Sequence, residues 1–339
     1  MRIFVTGAGG FIGRHLLRRL VADGHAITAL LLPGESDAGL SEARALRGDI
    51  TDPSSLAGLL QDHDAVVHLA AAVGYGQTME RCRRINRDGT ENVAREAVST
   101  GARRFVQLSS VSVYGRVPGA PVAEDAPLRT TGDPYGDTKI EAERILQGFV
   151  ERGDLDLTVL RPTVIYGPGD DKFLPKLVEN LRSGRARIIG SGDNRVDAVH
   201  VDDVVDLVAR VLAEPRAIGG VYNVNHPANP TWCEFIADLS TLLGVPEPRR
   251  HVPYPLALLI AGVLEVAGWV TRQEPRLTRY AVRVIGRPYH YRTERARIEL
   301  GFEPRVDLGQ GMRGTLARLH WDAGSPPPSG VAIGPSTDP

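Results

Sequence analysis

Ile3-Phe4-Val5-Thr6-Gly7-Ala8-Gly9-Gly10-Phe11-Ile12-Gly13 is the stretch whose reading decides the fold. A short apolar run carrying β-branched Ile3, Val5 and Thr6 ends in glycines, and Ile12, Leu16, Leu17, Leu20 and Val21 then share one face of a helical pattern. The order is strand, tight turn, helix. Glycine suits such a turn because the chain must reverse sharply, the backbone must come close to a pyrophosphate, and the helix must sit tightly on the strand. The helix N-terminus then offers unpaired N–H groups and a positive dipole end to phosphates. The spacing is G-x-x-G-x-x-G, on Gly7, Gly10 and Gly13, whereas G-x-G-x-x-G would require a glycine where Ile12 stands. A purely structural turn would use the same glycines, so the reading rests on what lies downstream.

Downstream, strands and helices alternate. Residues 26–32 and 43–47 read as strands, and 53–60 as a helix capped by Asp52 with proline in its first turn. Residues 65–71 form an apolar strand of the kind buried on both faces of a parallel sheet. A helix over 83–99, a strand over 104–108, a helix over 134–151 and a strand over 155–160 complete the rhythm. This is the pattern of an α/β, doubly wound parallel Rossmann sheet, with ligand at the C-terminal strand ends. After Pro162 the rhythm loosens into short strands near 187–189 and 198–201 and helices near 204–212 and 231–243. The expected organisation is a dinucleotide-binding domain over 1–168, to which segments near 198–225 return, a smaller, mainly helical substrate lobe over 169–322, and a Pro/Gly/Ser-rich disordered tail over 323–339.

Composition narrows the function. The 339 residues suffice for a full α/β core and a second lobe, and 40 basic against 41 acidic residues leave no broad electrostatic footprint for nucleic acid. Cys82 and Cys233 stand in no metal-ligand spacing, which fits a reduced cytoplasm. No secretory leader is expected. Residues 255–270 are strongly apolar but number about sixteen, short of the ~20 that span a bilayer, and Glu265 interrupts them. No transmembrane segment is therefore expected, although peripheral membrane contact is compatible with the composition. A cytoplasmic homodimer acting on a small molecule is the expected state.

The sharpest chemical signal is Tyr135-Gly136-Asp137-Thr138-Lys139. Residues four apart on a helix share a face, so phenol and ammonium project into the same space, and a nearby cation favours phenolate. That brings an oxygen that normally holds its proton to about pH 10 into acid/base range. Ser109-Ser110-Val111-Ser112 follows the fifth strand, where a hydroxyl would face the crevice and hold a substrate oxygen beside Tyr135.

In their order along the chain, the glycine turn, Asp49-Ile50, Leu69-Ala70-Ala71, Asn86-x-x-Gly89-Thr90-x-Asn92, the serine segment, Tyr135-x-x-x-Lys139 and Leu160-Arg161-Pro162-Thr163-x-x-Tyr166-Gly167-Pro168 resemble the extended branch of the short-chain dehydrogenase/reductases. This is the NAD-dependent epimerase/dehydratase family, and the resemblance covers roughly residues 1–320. It implies that Ser110 is the catalytic serine, that Tyr135 is the acid/base, and that Lys139 lowers the tyrosine pKa and binds the nicotinamide ribose. It further implies that Asp49 and Ile50 contact adenine and that Pro162 and Thr163 border the nicotinamide. Gly7, Gly10, Phe11, Ile12, Gly13, Arg14, Leu69, Ala70, Ala71, Asn86 and Ser109 complete the implied site for NAD or NADP.

Two departures refine the expectation. The second strand ends on Leu31 and Leu32 rather than on an acid, leaving Glu35 for a ribose and Arg14 or Ser36 for a 2′-phosphate, so weak discrimination between NAD and NADP is expected. Nucleotide-sugar members carry an arginine for the diphosphate just before a His-Val-x-Asp segment, but here Val196 holds that place in Arg195-Val196-Asp197-Ala198-Val199-His200-Val201-Asp202-Asp203. His200 and its aspartates read as structural, and no metal site is expected. The apolar stretch 255–270 and the arginine-rich region after it are similar to the 3β-hydroxysteroid dehydrogenase-like group. The expected activity is therefore NAD(P)-dependent interconversion of a secondary alcohol and a ketone on an apolar, steroid-like or long-chain substrate, with the 255–270 helix as lid or wall of the pocket. The rivals are a nucleotide-sugar epimerase or dehydratase and a non-catalytic dinucleotide sensor.

Overall fold

The computed structural model describes residues 1–318 apart from 41, 75, 116–118, 120, 228, 229, 272 and 274, so the expected tail over 323–339 lies outside the described residues. The opening stretch folds as read: β1 (Arg2–Thr6), a glycine turn, then α1 (Phe11–Ala22). β2 (Ala26–Leu31) and β3 (Arg44–Arg47) pair outward from β1 on one side. α2 (Pro53–Leu56) is shorter than expected, since Gly58 at φ +76° leaves the helical region directly after it. The chain then crosses to the other side of β1, where β4 (Ala65–His68) pairs with it.

Helix α3 (Met79–Cys82) begins four residues ahead of the expected start, capped by Thr78, and runs through a π-turn over Arg83–Asp88 into α4 (Gly89–Thr100). β5 (Arg104–Leu108), α5 (Pro134–Glu151) and β6 (Asp156–Pro162) follow close to the expected bounds. β7 (Val164–Tyr166), α6 (Leu174–Arg182), β8 (Ile188–Ile189) and β9 (Ala198–His200) lead into α7 (Val201–Ala213) and β10 (Val221–Val224). The main sheet is seven-stranded and wholly parallel, in the order β10-β6-β5-β4-β1-β2-β3. Its strand order reverses between β1 and β4, and this opens a crevice above their carboxyl ends.

Both faces of the sheet are covered. On one, Leu16, Leu17 and Leu20 of α1 meet Val204, Val208 and Val211 of α7, all without solvent exposure. Each such side chain contributes about 2 kcal/mol by leaving water. On the other, Val93 and Ala97 of α4 and Leu146 of α5 pack on Phe4, Val66 and Phe105. The 198–225 region joins this body through α7 and β10.

The lobe is built from α6, α8 (Trp232–Leu243) and α12 (Leu308–Arg318) around Val178, Val196, Phe235 and Met312. β11 (His251–Val252) pairs with β8, and α9 (Tyr254–Thr271) and α10 (Arg279–Ile285) follow. One expected boundary needs correction. α11 (Glu294–Leu300), assigned to the lobe, packs instead on the dinucleotide-binding body through Ala296, Leu300 and Phe302, and Tyr222 of β10 donates to Glu299 at 2.9 Å.

Candidate active site

The glycine turn does three different jobs. Gly7 sits at φ +67°, and a Cβ there would come within 2.7 Å of the Ala70 backbone nitrogen, so the turn must be bare to lie against the end of β4. At Gly13 a Cβ would stand 2.3 Å from the Gly7 carbonyl oxygen and 2.5 Å from that of Ala8, which is what lets α1 seat directly on the loop. Gly10, at the N-cap of α1, is exposed, and its nearest obstacle is Gly7 O at 3.2 Å. Its bare backbone and the first N–H groups of α1 form the cradle a pyrophosphate needs, so the residues present fit a dinucleotide. Phe11 and Ile12 are half-buried in the first turn of α1, and Arg14 folds back so that its Nε donates to the Gly9 carbonyl at 2.8 Å.

The end of β2 does carry an acid, though not within the strand. A turn in which Glu35 N–H donates to the Leu32 carbonyl at 3.0 Å brings the Glu35 side chain back, where its Oε2 accepts from Leu32 N–H at 2.9 Å. Its carboxylate lies over Gly9, close enough that a Cβ on that glycine would collide with it. Of the candidates weighed in the sequence, the turn brings Glu35 into place as an acceptor for ribose hydroxyls, while Ser36 accepts from Ala38 N–H at 3.2 Å. Asp49 turns its carboxylate to Thr51 N–H at 2.8 Å. The Ile50 side chain is buried against Gly89, where a Cβ would come within 2.7 Å of it, so any adenine contact at Ile50 falls to its backbone. Leu69, Ala70 and Ala71 are half-buried at the mouth of the crevice beside Gly7.

Four of the residues expected at the cofactor are held by the protein itself. Asn86, in the π-turn, is 1% exposed: it accepts from Ala72 N–H at 2.7 Å and donates to the Ala72 carbonyl and to Thr138 Oγ1. It clasps the loop after β4 to α5. Ser109 is buried and donates its hydroxyl to Glu143. Thr163 is buried and bonds to the Val224 carbonyl and Asn225, while Pro162 ends β6 in the sheet interior.

Ser110, Tyr135 and Lys139 do come together. Asp133 caps α5 by accepting Gly136 N–H at 2.9 Å, and Pro134 opens the helix, which puts Tyr135 in the first turn. Gly136 permits the close approach, because a Cβ there would stand 3.2 Å from the Ser112 carbonyl oxygen. Ser110 accepts from Ser112 N–H at 3.1 Å, which leaves its own hydroxyl proton for the Tyr135 oxygen, and the two side chains are hydrogen-bonded. Lys139 is 2% exposed, and its Nζ donates to the Leu108 carbonyl at 2.8 Å and lies 5.8 Å from the centre of the Tyr135 ring.

Burial pushes the Tyr135 phenol above its ordinary value, Tyr280 of α10 adds to that, and the Ser110 hydrogen bond works in the opposite direction. The ammonium is itself the perturbed cation: burial lowers Lys139 to about 8, partly offset by Glu143. Beneath the crevice, burial and Lys139 lower His68 to about 3, so it stays neutral, at 2.7 Å from Thr6 Oγ1 and 3.0 Å from Thr90 Oγ1.

Sequence reasoning missed Glu143 and Tyr280. Glu143 is 7% exposed and takes the hydroxyl of Ser109 and the guanidinium of Arg161, at 3.1 Å from Nε and 2.6 Å from Nη2. Its position four residues after Lys139, on the same face of α5, was the available signal. Val196 is 1% exposed in the lobe core and Arg195 is exposed, as the alternation of an extended segment requires. His200 caps α7 by accepting Asp202 N–H at 3.2 Å, and Asp203 accepts from Arg305 and Val306 N–H groups. α10 stands beside Tyr135 through Tyr280, and α9 packs behind it through Ala257 and Ala261 on Val282.

A glycine cradle at a helix N-terminus, an acid at the end of β2 and a Ser-Tyr-Lys set at the switch point define a dinucleotide-dependent oxidoreductase. The chain belongs to the NAD dependent epimerase/dehydratase family, whose model matches residues 3–225. It is similar to the 2-alkyl-3-oxoalkanoate reductase of Stenotrophomonas maltophilia, 32% identical over 326 residues that cover 92% of this chain and 98% of that protein. It is also similar to the decarboxylating sterol-4-alpha-carboxylate 3-dehydrogenase of Homo sapiens, at 30% identity over 93% of this chain and 87% of that one. Among solved structures, DesIV, a dTDP-glucose 4,6-dehydratase from Streptomyces venezuelae with NAD and TYD bound, superposes with a TM-score of 0.74 at 26% identity, covering 94% of this chain and 96% of that one.

Proposed function

We propose that this enzyme interconverts a secondary alcohol and a ketone on an apolar substrate, with net turnover of NAD. The observation that carries the substrate class is Val196. Buried in the lobe core where nucleotide-sugar members place an arginine, it leaves a diphosphate without that charge-assisted partner. The two relatives named above support the same class, each being named for reduction or oxidation at C3 of an apolar skeleton.

In this reading, Ser110 holds the substrate oxygen and Tyr135 exchanges a proton with it at the phenol hydroxyl. Placement of Tyr135 in the first turn of α5 lets the helix dipole favour the phenolate form. The nicotinamide supplies hydride donor and acceptor chemistry when bound. Glu35 holds the adenosine ribose and selects NAD. Lys139 is poised to orient the nicotinamide ribose, and the network of Glu143, Ser109 and Arg161 fixes Lys139 from below.

Likeness to a dTDP-glucose dehydratase favours a second reading, in which hydride returns to the same substrate and cofactor is not consumed. Purified enzyme offered long-chain 3-oxo acids and sterol alcohols, with cofactor absorbance followed, tests the proposal. Stoichiometric change of the cofactor with an apolar substrate is the expected result. Conversion of a nucleotide sugar without net cofactor change would replace the proposal with the second reading.

A further inference from the structure

α9 is an 18-residue helix with a mean hydropathy of 1.6, of which 17% is buried in the protein. By length and composition it is long and apolar enough to cross a membrane, which corrects the shorter stretch expected from the sequence. Its contacts say how it lies. The buried residues Ala257, Ala261 and Gly268 form a single stripe from the first turn to the last, against Val282 at one end and the Gln273 carbonyl and Pro275 ring at the other. Glu265 falls on that inner side, accepting from Arg279 N–H at 2.8 Å and from its Nε at 2.6 Å, so it does not interrupt the outer face. Held along its length, the helix lies flat on the lobe.

The outer face is apolar throughout. Leu259, Val263, Val266, Trp269 and Val270 are between 62% and 81% exposed, far more contiguous apolar surface than scattered exposed side chains provide. The charge around this face is one-sided. Residues 249–292 carry eight arginines and two acidic residues in a chain whose charges balance overall, and Arg249, Arg250, Arg276, Arg283 and Arg287 are exposed.

We propose that α9 docks flat on an anionic phospholipid bilayer, its outer face entering the boundary between headgroups and acyl chains while the flanking arginines meet lipid phosphates. An apolar face rimmed by arginine, with a tryptophan near one end, is the pattern that binds in the plane of an interface. The same rim argues against a second copy of the chain as occupant, because a two-fold contact through α9 would set like charges against each other. This inference does not depend on the substrate class.

The test uses the full chain with vesicles of phosphatidylcholine, alone or mixed with phosphatidylglycerol, read by flotation and by quenching of tryptophan emission with bromolipids. Wild-type protein should bind the mixed vesicles at least about tenfold more tightly than the neutral ones, with salt weakening the binding and Trp269 quenched. Val263→Asp with Val266→Asp, both at exposed positions, should lower binding to mixed vesicles at least about tenfold while NAD affinity is kept. Three results would overturn the proposal: no binding of wild type to anionic vesicles, binding that the double substitution leaves intact, or a wild-type dimer that the double substitution splits in light scattering while vesicles fail to bind. Quenching and the salt response of wild type decide the matter even if the double variant misfolds.

Discussion

Replacing Lys139 with methionine should make the cofactor-free protein at least as stable at neutral pH while abolishing its turnover. The ammonium is 2% exposed, and burial lowers its pKa from 10.5 to about 8. Because the folded value lies below the unfolded one, the unfolded chain holds the extra proton between the two, and stability must rise with pH through that window. At pH 7, keeping Lys139 buried therefore costs about 3 kcal/mol. Methionine fills similar volume without charge but leaves the Leu108 carbonyl without its 2.8 Å donor, a loss of about 1–3 kcal/mol. The net effect at pH 7 lies between zero and a gain of about 2 kcal/mol. The sharper readout is the difference in pH dependence: wild type should gain about 2 kcal/mol between pH 7 and pH 9.5, and the variant should lack that gain. Urea unfolding of both proteins at the two pH values measures it. Parallel pH profiles would refute the reasoning, because they would mean that Lys139 is not held in a low-dielectric site.

Tyr135→Phe keeps the ring but removes the transferable proton, so turnover should fall at least about 100-fold while the dissociation constant for NAD changes less than about threefold, as single-turnover kinetics and titration would report. Glu35→Ala should weaken NAD at least about tenfold and leave NADP unchanged or improved, measured by calorimetric titration of both; an unchanged preference would place the selector elsewhere. Gly13→Ala sets a methyl 2.3 Å from the Gly7 carbonyl oxygen, so it should cost about 1–3 kcal/mol in denaturant unfolding and weaken NAD binding with it.

Much of the fold was legible in the sequence, because its strongest determinants are local. The period of apolar residues in α1, the Asp133-Pro134 start of α5 and the apolar run of β4 each specify an element without help from distant chain. Elements whose form depends on a partner were not legible. The early start at Met79 and the π-turn follow from Asn86 reaching Ala72 and Thr138, residues 14 and 52 positions away. α11 looked like part of the lobe because it follows the lobe in sequence, yet Ala296 and Leu300 find their burial on the first body. Sequence order predicts the neighbour of an amphipathic helix only when the connection is short.

The catalytic site divides along the same line. Tyr135 and Lys139 could be paired by helical spacing alone, and Gly7, Gly10 and Gly13 by the turn they close, but the charges that govern them are set by tertiary contacts. Glu35 could be named as a ribose candidate, but only the turn after Leu32 folds its carboxylate over Gly9. Glu143 reads as one more polar residue of α5 until Arg161 arrives from β6 and Ser109 from the end of β5. Spacing suggested that Lys139 would act on Tyr135 directly. The structure seats the ammonium on the Leu108 carbonyl and 5.8 Å from the centre of the Tyr135 ring, with Ser110 as the group hydrogen-bonded to the phenol. A buried carboxylate, Glu143, and a buried carbonyl, that of Leu108, keep an ammonium in a place that would otherwise expel it.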